Sequence, residues 1–304
     1  MNKQTTSPII QKQKVIELIS TNYNNSYHIY TDGSLINSTP GLGYYDPQTK
    51  LSYSGKLKNG FTIMNAELTA IMKAIEYTQN LNIKKLVIFT DSKTACTLLD
   101  NPQNTDNYLV TKIINTILES NIELIKFQWI PGHIGLLGNE RADYAAKLGT
   151  TRNEIENFNY SIGDLYNIFK NQMTIEWQKE YDHISEEKGQ FHYTHSKTVS
   201  HSPWFKDIDM DTLDTINITR IRTGHTATKD RLAKWKLISN DRCETCGTVE
   251  NIQHLLYDCI KYRLIRTNFT FLKNNTPLHK ILTDKDPLKY NTLAKFLRTI
   301  KQNV

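Results

Sequence analysis

Leu86-Val87-Ile88-Phe89 is an unbroken apolar run, bounded by Lys84-Lys85 on one side and Thr90-Asp91-Ser92 on the other. A strand without polar alternation is covered on both faces, so the run predicts the centre of an α/β sheet. Upstream, Leu68, Ile71, Met72 and Ile75 recur at i, i+3, i+4 and i+7 and predict a helix, with Asn65 as its N-cap. A helix leading into a buried strand is the crossover of a parallel pair. The other member is Tyr27-His28-Ile29-Tyr30-Thr31, rich in aromatic and β-branched residues. Gly33 and Ser34 predict a sharp turn directly after Asp32. Asp32 and Asp91 then stand side by side at the carboxyl ends of their strands, where open α/β sheets collect ligands.

Two more acids belong to this pattern. Glu67 lies in the predicted first turn of the crossover helix, where the dipole favours an anion. Asp143 lies in a final helix predicted to start at an Asn139 cap, after the glycine-punctuated loop that carries His133. Between them the chain predicts a hairpin around Asp46-Pro47, helices over 93–99 and 108–118, and a strand over 122–130. Val15, Ile16, Leu18 and Ile19 predict a short N-terminal helix. Converging carboxylates repel unless a cation sits among them, and an all-oxygen ligand set selects Mg²⁺ or Mn²⁺.

The 304-residue chain is long enough for two domains. Its apolar runs are too short for a membrane span and its start carries no signal-peptide pattern. We therefore expect an intracellular protein, cytoplasmic or nuclear, neither secreted nor membrane-bound. Charge is unevenly spread. Residues 154–214 hold 5 Lys and Arg against 12 Asp and Glu, whereas residues 216–304 hold 17 against 7. The acidic stretch reads as a linker with a helix over 168–181, and the basic third as a phosphate-backbone partner. Four cysteines without a secretion signal argue against a disulfide framework. Cys243-x2-Cys246-x7-His254-x4-Cys259 offers three thiolates and an imidazole, a tetrahedral Zn²⁺ set, with Gly247 supporting the turn. The alternative is a chance grouping of thiols in a helical domain.

Tyr30-Thr31-Asp32-Gly33-Ser34, Ala66-Glu67-Leu68, Thr90-Asp91-Ser92, Trp129-Ile130-Pro131-Gly132-His133 and Asn139-Glu140-Arg141-Ala142-Asp143 together resemble type 1 ribonuclease H. Their wording is similar to the domains carried by non-LTR retrotransposon polyproteins. The resemblance implies a five-stranded mixed sheet, three antiparallel strands then two parallel, flanked by helices. It implies endonucleolytic cleavage of the RNA strand of an RNA–DNA hybrid, with two Mg²⁺ or Mn²⁺ ions held by Asp32, Glu67, Asp91 and Asp143. Asp32 would bridge the ions, with Asp143 on the nucleophile side and Glu67 and Asp91 on the leaving-group side. His133 would assist proton transfer or product release. Gly33, Ser34 and Asn65 would meet the RNA 2′-hydroxyls, which distinguish RNA from DNA.

One departure stands out. Asp100 to Asn107 is short and holds no Lys or Arg, where some cellular relatives insert a basic helix and loop. Hybrid affinity then falls to the basic C-terminal third. There Ile218-Thr219-Arg220-Ile221-Arg222-Thr223-Gly224-His225 precedes the Cys-Cys-His-Cys set, as in those polyproteins, which extends the resemblance to residue 270. Arg220, Arg222, Lys229, Arg231, Lys234, Lys236 and Arg242, interleaved with Trp235, would contact single-stranded RNA or DNA. The domains expected are an N-terminal extension (1–25), a ribonuclease H domain (26–149), an acidic linker and helix (150–215), and a mainly helical zinc-bearing domain (216–304). The rival reading is a catalytically decayed nuclease fold that binds nucleic acid through its zinc domain. The intact set of acids with His133 counts against decay.

Overall fold

The computed structural model describes residues 7–273, 276–283 and 286–300, and divides into two compact units, Met1–Gln172 and Met173–Val304. In the first unit, α1 (Pro8–Asn22) precedes β1 (Tyr27–Ile36), β2 (Thr39–Asp46) and β3 (Leu51–Lys56). Then come α2 (Ile63–Gln79), β4 (Lys85–Thr90), α3 (Lys93–Asp100), α4 (Tyr108–Leu118), β5 (Leu124–Trp129) and α5 (Leu137–Gly149). Helix α6 (Ile162–Ser185) runs across the division. The strands form one sheet in the order β3-β2-β1-β4-β5, antiparallel across β3, β2 and β1 and parallel across β1, β4 and β5.

Side-chain alternation splits the core into two layers. Ile29, Leu86 and Ile88 face a cluster with Leu68, Ile71 and Ile75 of α2 and Leu109 and Ile113 of α4. Tyr30, Val87 and Phe89 face a second cluster, with Val15 of α1 and Ala142 of α5. The parallel ladder ends at Thr31↔Thr90 and Thr90↔Trp129, so Asp32 and Asp91 each sit one residue beyond it.

Three local expectations are corrected. Strand β1 does not stop at Asp32: it continues to Ile36, paired with β2 through Asp32↔Gly43 and Gly33↔Leu42. The turn falls at Asn37 and Ser38, whose φ values of +49° and +63° suit a two-residue hairpin. Gly33 is needed for approach instead of turning, because a Cβ there would lie 2.7 Å from the Glu67 amide nitrogen. Helix α2 starts earlier than expected, with Thr62 as the N-cap accepting from the Asn65 amide, so Glu67 lies beyond the first turn. Helix α5 starts at Leu137, which places Asn139 inside the helix and not at its cap.

The linker expected from residue 150 behaves differently over 155–164. Ile155 bridges Lys56, the Glu156 amide donates to the Lys56 carbonyl at 2.7 Å, and Glu156 pairs with Lys73 at 3.1 Å. Phe158 is buried in the α2 core layer. This strap is part of the first unit. Helix α6 is longer at both ends than the 168–181 expected.

The second unit is helical, with α7 (Gln190–His195), α8 (Thr212–Thr223), α9 (Lys229–Lys234), α10 (Arg263–Arg266), α11 (Thr270–Lys273), α12 (Leu278–Thr283) and α13 (Pro287–Thr299). Its core joins Ile218 and Ile221 of α8 with Leu293, Phe296 and Leu297 of α13, and includes Cys243 and Cys259. Among the described residues no helix is long and apolar enough to cross a membrane.

Candidate active site and thiolate cluster

Asp32, Glu67 and Asp91 come from β1, α2 and the end of β4, and each offers an oxygen within 4.8 Å of the other two. Asp32 and Glu67 are both 6 % exposed, so water does little to screen them. Burial first, then the Asp91 and Asp143 charges, push the Asp32 carboxyl up to about 8. Lys147 and the Gly33 amide pull back. Burial and the Asp32 and Asp91 charges hold Glu67 well above the usual carboxylate range. Glu67 Oε2 is buried and has no hydrogen-bond partner. Such an orphan costs free energy in an isolated protein and is what a cation ligand looks like without its cation.

Asp143 is near enough to raise Asp32, yet it is not one of the three clustered oxygens. Its Oδ2 accepts from Lys147 Nζ at 2.7 Å, one turn along α5. His133 is exposed, with φ +59°, on the loop between β5 and α5. That loop presses on the site through Gly132, where a Cβ would collide with Asp91 Oδ2. Asn139, expected only as a helix cap, is 2 % exposed and points its Nδ2 at Asp91 Oδ2, 3.4 Å away. The signal was present: Asn139 and Asp143 are four apart and share a helix face.

The residues expected to touch substrate divide. Ser34 is 8 % exposed, and Asn65 is 2 % exposed with its amide engaged inside the protein, Nδ2 donating to Ser161 and Asp164 and Oδ1 accepting from Asn107. In the second unit Arg220 is on the surface, but Arg222 is not. Arg222 is 6 % exposed, donates from Nη1 to the Leu282 carbonyl at 2.9 Å and to Tyr290 Oη at 2.5 Å, and packs on the Trp204 ring. The correction has a simple cause. Arg222 follows Ile218 and Ile221 at helical spacing, so it lies on the buried face of α8, where a carbonyl, the Tyr290 hydroxyl and aromatic rings meet its guanidinium and Nε has no partner.

Cys243, Cys246, His254 and Cys259 place their ligand atoms within 4.8 Å of one another. Cys259 Sγ lies 3.9 Å from Cys243 Sγ and 3.8 Å from Cys246 Sγ. These are not disulfide distances. Two thiolates on one tetrahedral Zn²⁺ at about 2.3 Å are about 3.8 Å apart. His254 Nε2 is buried without a partner, while Nδ1 faces Thr248 Oγ1 at 3.3 Å. Gly247, at φ +69°, closes the turn, its amide donating to the Cys243 carbonyl. The donor set and its spacing fit zinc.

With this geometry in view, residues 24–151 match the family model RNase H and form an RNase H domain. The chain is 31 % identical to human Ribonuclease H1 over 144 residues, 41 % of this chain and 50 % of that protein. It is 36 % identical to the Pol polyprotein of equine infectious anemia virus (strain Wyoming) over 129 residues, 40 % of this chain and 10 % of that polyprotein. The chain thus spans about half the length of the Ribonuclease H1 proteins it resembles.

Proposed function

We propose that the protein hydrolyses the RNA strand of RNA–DNA hybrids, using two divalent cations held by Asp32, Glu67, Asp91 and Asp143. The carrying observation is the cluster of Asp32, Glu67 and Asp91 where the parallel ladder ends, with Glu67 Oε2 buried and unpartnered, inside the segment that matches RNase H. When bound, Mg²⁺ or Mn²⁺ supplies charge neutralisation and an activated water for in-line phosphoryl displacement. The chain supplies the rest. Asp32, buried and within reach of Glu67 and Asp91, would help hold both cations. Asp143 meets Lys147 through Oδ2, which leaves Oδ1 to join the cation site. His133 stands on a loop, where a proton-carrying or product-releasing group can move during turnover. Gly33 and Ser34 present backbone to the RNA sugar.

The second unit adds a zinc-organised surface, with Cys243, Cys246, His254 and Cys259 as ligands. Nucleic-acid contact there falls to exposed Arg220, Lys234, Lys236 and Arg242 beside Trp235, which is 45 % exposed. Lys229 is drawn to Glu244 at 2.9 Å and Arg222 is buried, so neither belongs to that face. The retrotransposon-type origin rests on the order of the motifs, with Arg220 to His225 and then the thiolate set after the nuclease. The intracellular, reducing compartment is proposed on the same ground as the zinc site, three cysteines grouped as metal ligands and not paired as disulfides.

The test is cleavage of an end-labelled RNA–DNA hybrid in Mg²⁺ by the full chain and by Asp91→Asn, with single-stranded RNA, double-stranded RNA and double-stranded DNA as controls. Cutting confined to the RNA strand of the hybrid, and lost in the variant, supports the reading. Absence of cutting by a folded, zinc-loaded protein transfers the function to nucleic-acid binding.

A further inference from the structure

Asp164 lies outside the RNase H match, on the first turn of α6, and is fully buried. Its Oδ1 accepts from the Thr62 amide at 2.7 Å, the N-cap of α2. Its Oδ2 accepts from Asn65 Nδ2 at 2.6 Å, from the Ser161 amide at 2.8 Å and from Ser161 Oγ at 2.9 Å. One carboxylate thereby ties the start of α6 to the start of α2.

The chain of amides continues with a defined direction. Asn65 Oδ1 accepts from Asn107 Nδ2 at 2.6 Å, and Asn107 Oδ1 accepts from the Leu109 amide at 3.1 Å, capping α4. Asp164 is acceptor-only at one end and the Leu109 N–H is donor-only at the other, so neither asparagine can be turned over without setting donor against donor. Glu67 lies two residues beyond Asn65 on the same helix. Its carboxylate accepts from the Gly33 amide and from Thr90 while Oε2 has no partner, so its stance against Asp32 and Asp91 follows those two donors and the position at which the first turn of α2 is held.

We propose that Asp164 is a positioning residue for the carboxylate site, acting through Asn65 and the N-terminus of α2 to hold Glu67 against Asp32 and Asp91. The strap that follows the RNase H domain is then a working part of the nuclease unit. The proposal rests on the two-cation ribonuclease reading for its consequence in catalysis, and on geometry alone for its consequence in cation binding.

Asp164→Asn discriminates, because it keeps shape and changes one acceptor into a donor. Either orientation of the new amide points Nδ2 at an N–H group, of Asn65 and Ser161 or of Thr62. The exchange Asn65→Asp with Asp164→Asn restores a donor facing an acceptor between positions 164 and 65 and keeps one charge in the network, and leaves only the Ser161 amide facing a donor. Tyr160→Phe, which removes only the bond from Tyr160 Oη to the Asn59 carbonyl, controls for loosening the strap.

Mn²⁺ affinity of the zinc-loaded full chain is measured by titration calorimetry, beside the thermal midpoint and hybrid cleavage as a function of Mg²⁺. Asp164→Asn is expected to weaken Mn²⁺ binding about tenfold, the scale on which groups behind metal ligands act. The exchange is expected to recover part of that loss, and Tyr160→Phe to leave the affinity unchanged. Wild-type Mn²⁺ affinity in Asp164→Asn overturns the proposal, even if the thermal midpoint falls, and so does a weakened affinity of which the folded exchange variant recovers nothing. A wild type that binds Mn²⁺ but does not cut hybrid removes the ribonuclease reading and leaves the positioning role decided by the affinities.

Discussion

Asp32 and Asp46 lie on neighbouring strands of one sheet, both buried, and their surroundings treat the same carboxylate in opposite ways. Asp46 ends β2 and is fully enclosed. Burial would push its carboxyl up, but hydroxyls of Tyr27, Thr49 and Tyr77, at 2.5, 2.7 and 2.9 Å, and the Gln48 amide outweigh it and hold the group below its ordinary value. Asp32 has the burial without those donors and faces other acids, so it is held up at about 8. A saturated buried acid builds structure. An unsaturated one among its own kind stores a binding site whose missing partner is positive.

Exchanging each acid for its amide separates the two roles. Asp32→Asn is expected to lower hybrid cleavage about a thousandfold or more, the loss typical of a group acting as part of a catalytic unit. The same variant should raise the thermal midpoint of the Mg²⁺-free, zinc-loaded protein at pH 8 by several degrees, since it removes a buried charge that repels its neighbours. Loss of activity together with lower stability would break the comparison. Asp46→Ala should do the reverse. It leaves three hydroxyls and a backbone amide facing a void, at a cost of about 2–4 kcal/mol in urea unfolding, with cleavage per folded molecule kept at low temperature.

A smaller effect appears in the pH dependence. Because the folded Asp32 value is raised, its relative stabilisation is complete below about pH 4, where the group is protonated folded or unfolded. It is lost as pH rises through about 8. The Mg²⁺-free protein should therefore lose stability across that range, and saturating Mg²⁺ should flatten the loss. Asp46 has the opposite sign. Its stabilisation is present above the unfolded value near 4 and disappears as pH falls through the lower folded value. Thermal midpoints of wild type, Asp32→Asn and Asp46→Asn in the same buffers read both slopes.

The smallest change comes from Lys147→Ala. It frees Asp143 and removes the cation that pulls Asp32 down. Mg²⁺-free titration followed by carboxylate NMR should show Asp32 moving further up by under about one unit, the scale of an exposed charge. No movement would mean that Lys147 is screened and that Asp143 is held by something else.

Much of the first unit was legible because its signals are local. The apolar run at 86–89 marked a buried strand, the i, i+3, i+4 pattern from Leu68 marked α2, and acids closing two strand patterns marked the site, although β1 runs on past Asp32. Turn residues misled at Gly33, where the sequence shows only that a side chain is absent. Whether the absence serves a bend or a close approach depends on α2, whose backbone lies against it. Arg222 was misplaced for a related reason: a charged residue inside an apolar helical pattern looks exposed until the Leu282 carbonyl and the Tyr290 and Trp204 rings are brought to it.

By itself the sequence determined the order of the strands and helices, the placement of Asp32 and Asp91 on parallel neighbours just past the end of their shared ladder, and a cysteine and histidine spacing able to close on one ion. Those are properties of periodicity and short-range spacing. Tertiary structure alone decided that Glu67 Oε2 is left bare, that Asn139 stands behind Asp91, that Arg222 is inside, and that Asp164 reaches across 99 residues to Asn65. The free energy of a polar group is set by what surrounds it, and for each of these four the surroundings come from distant parts of the chain.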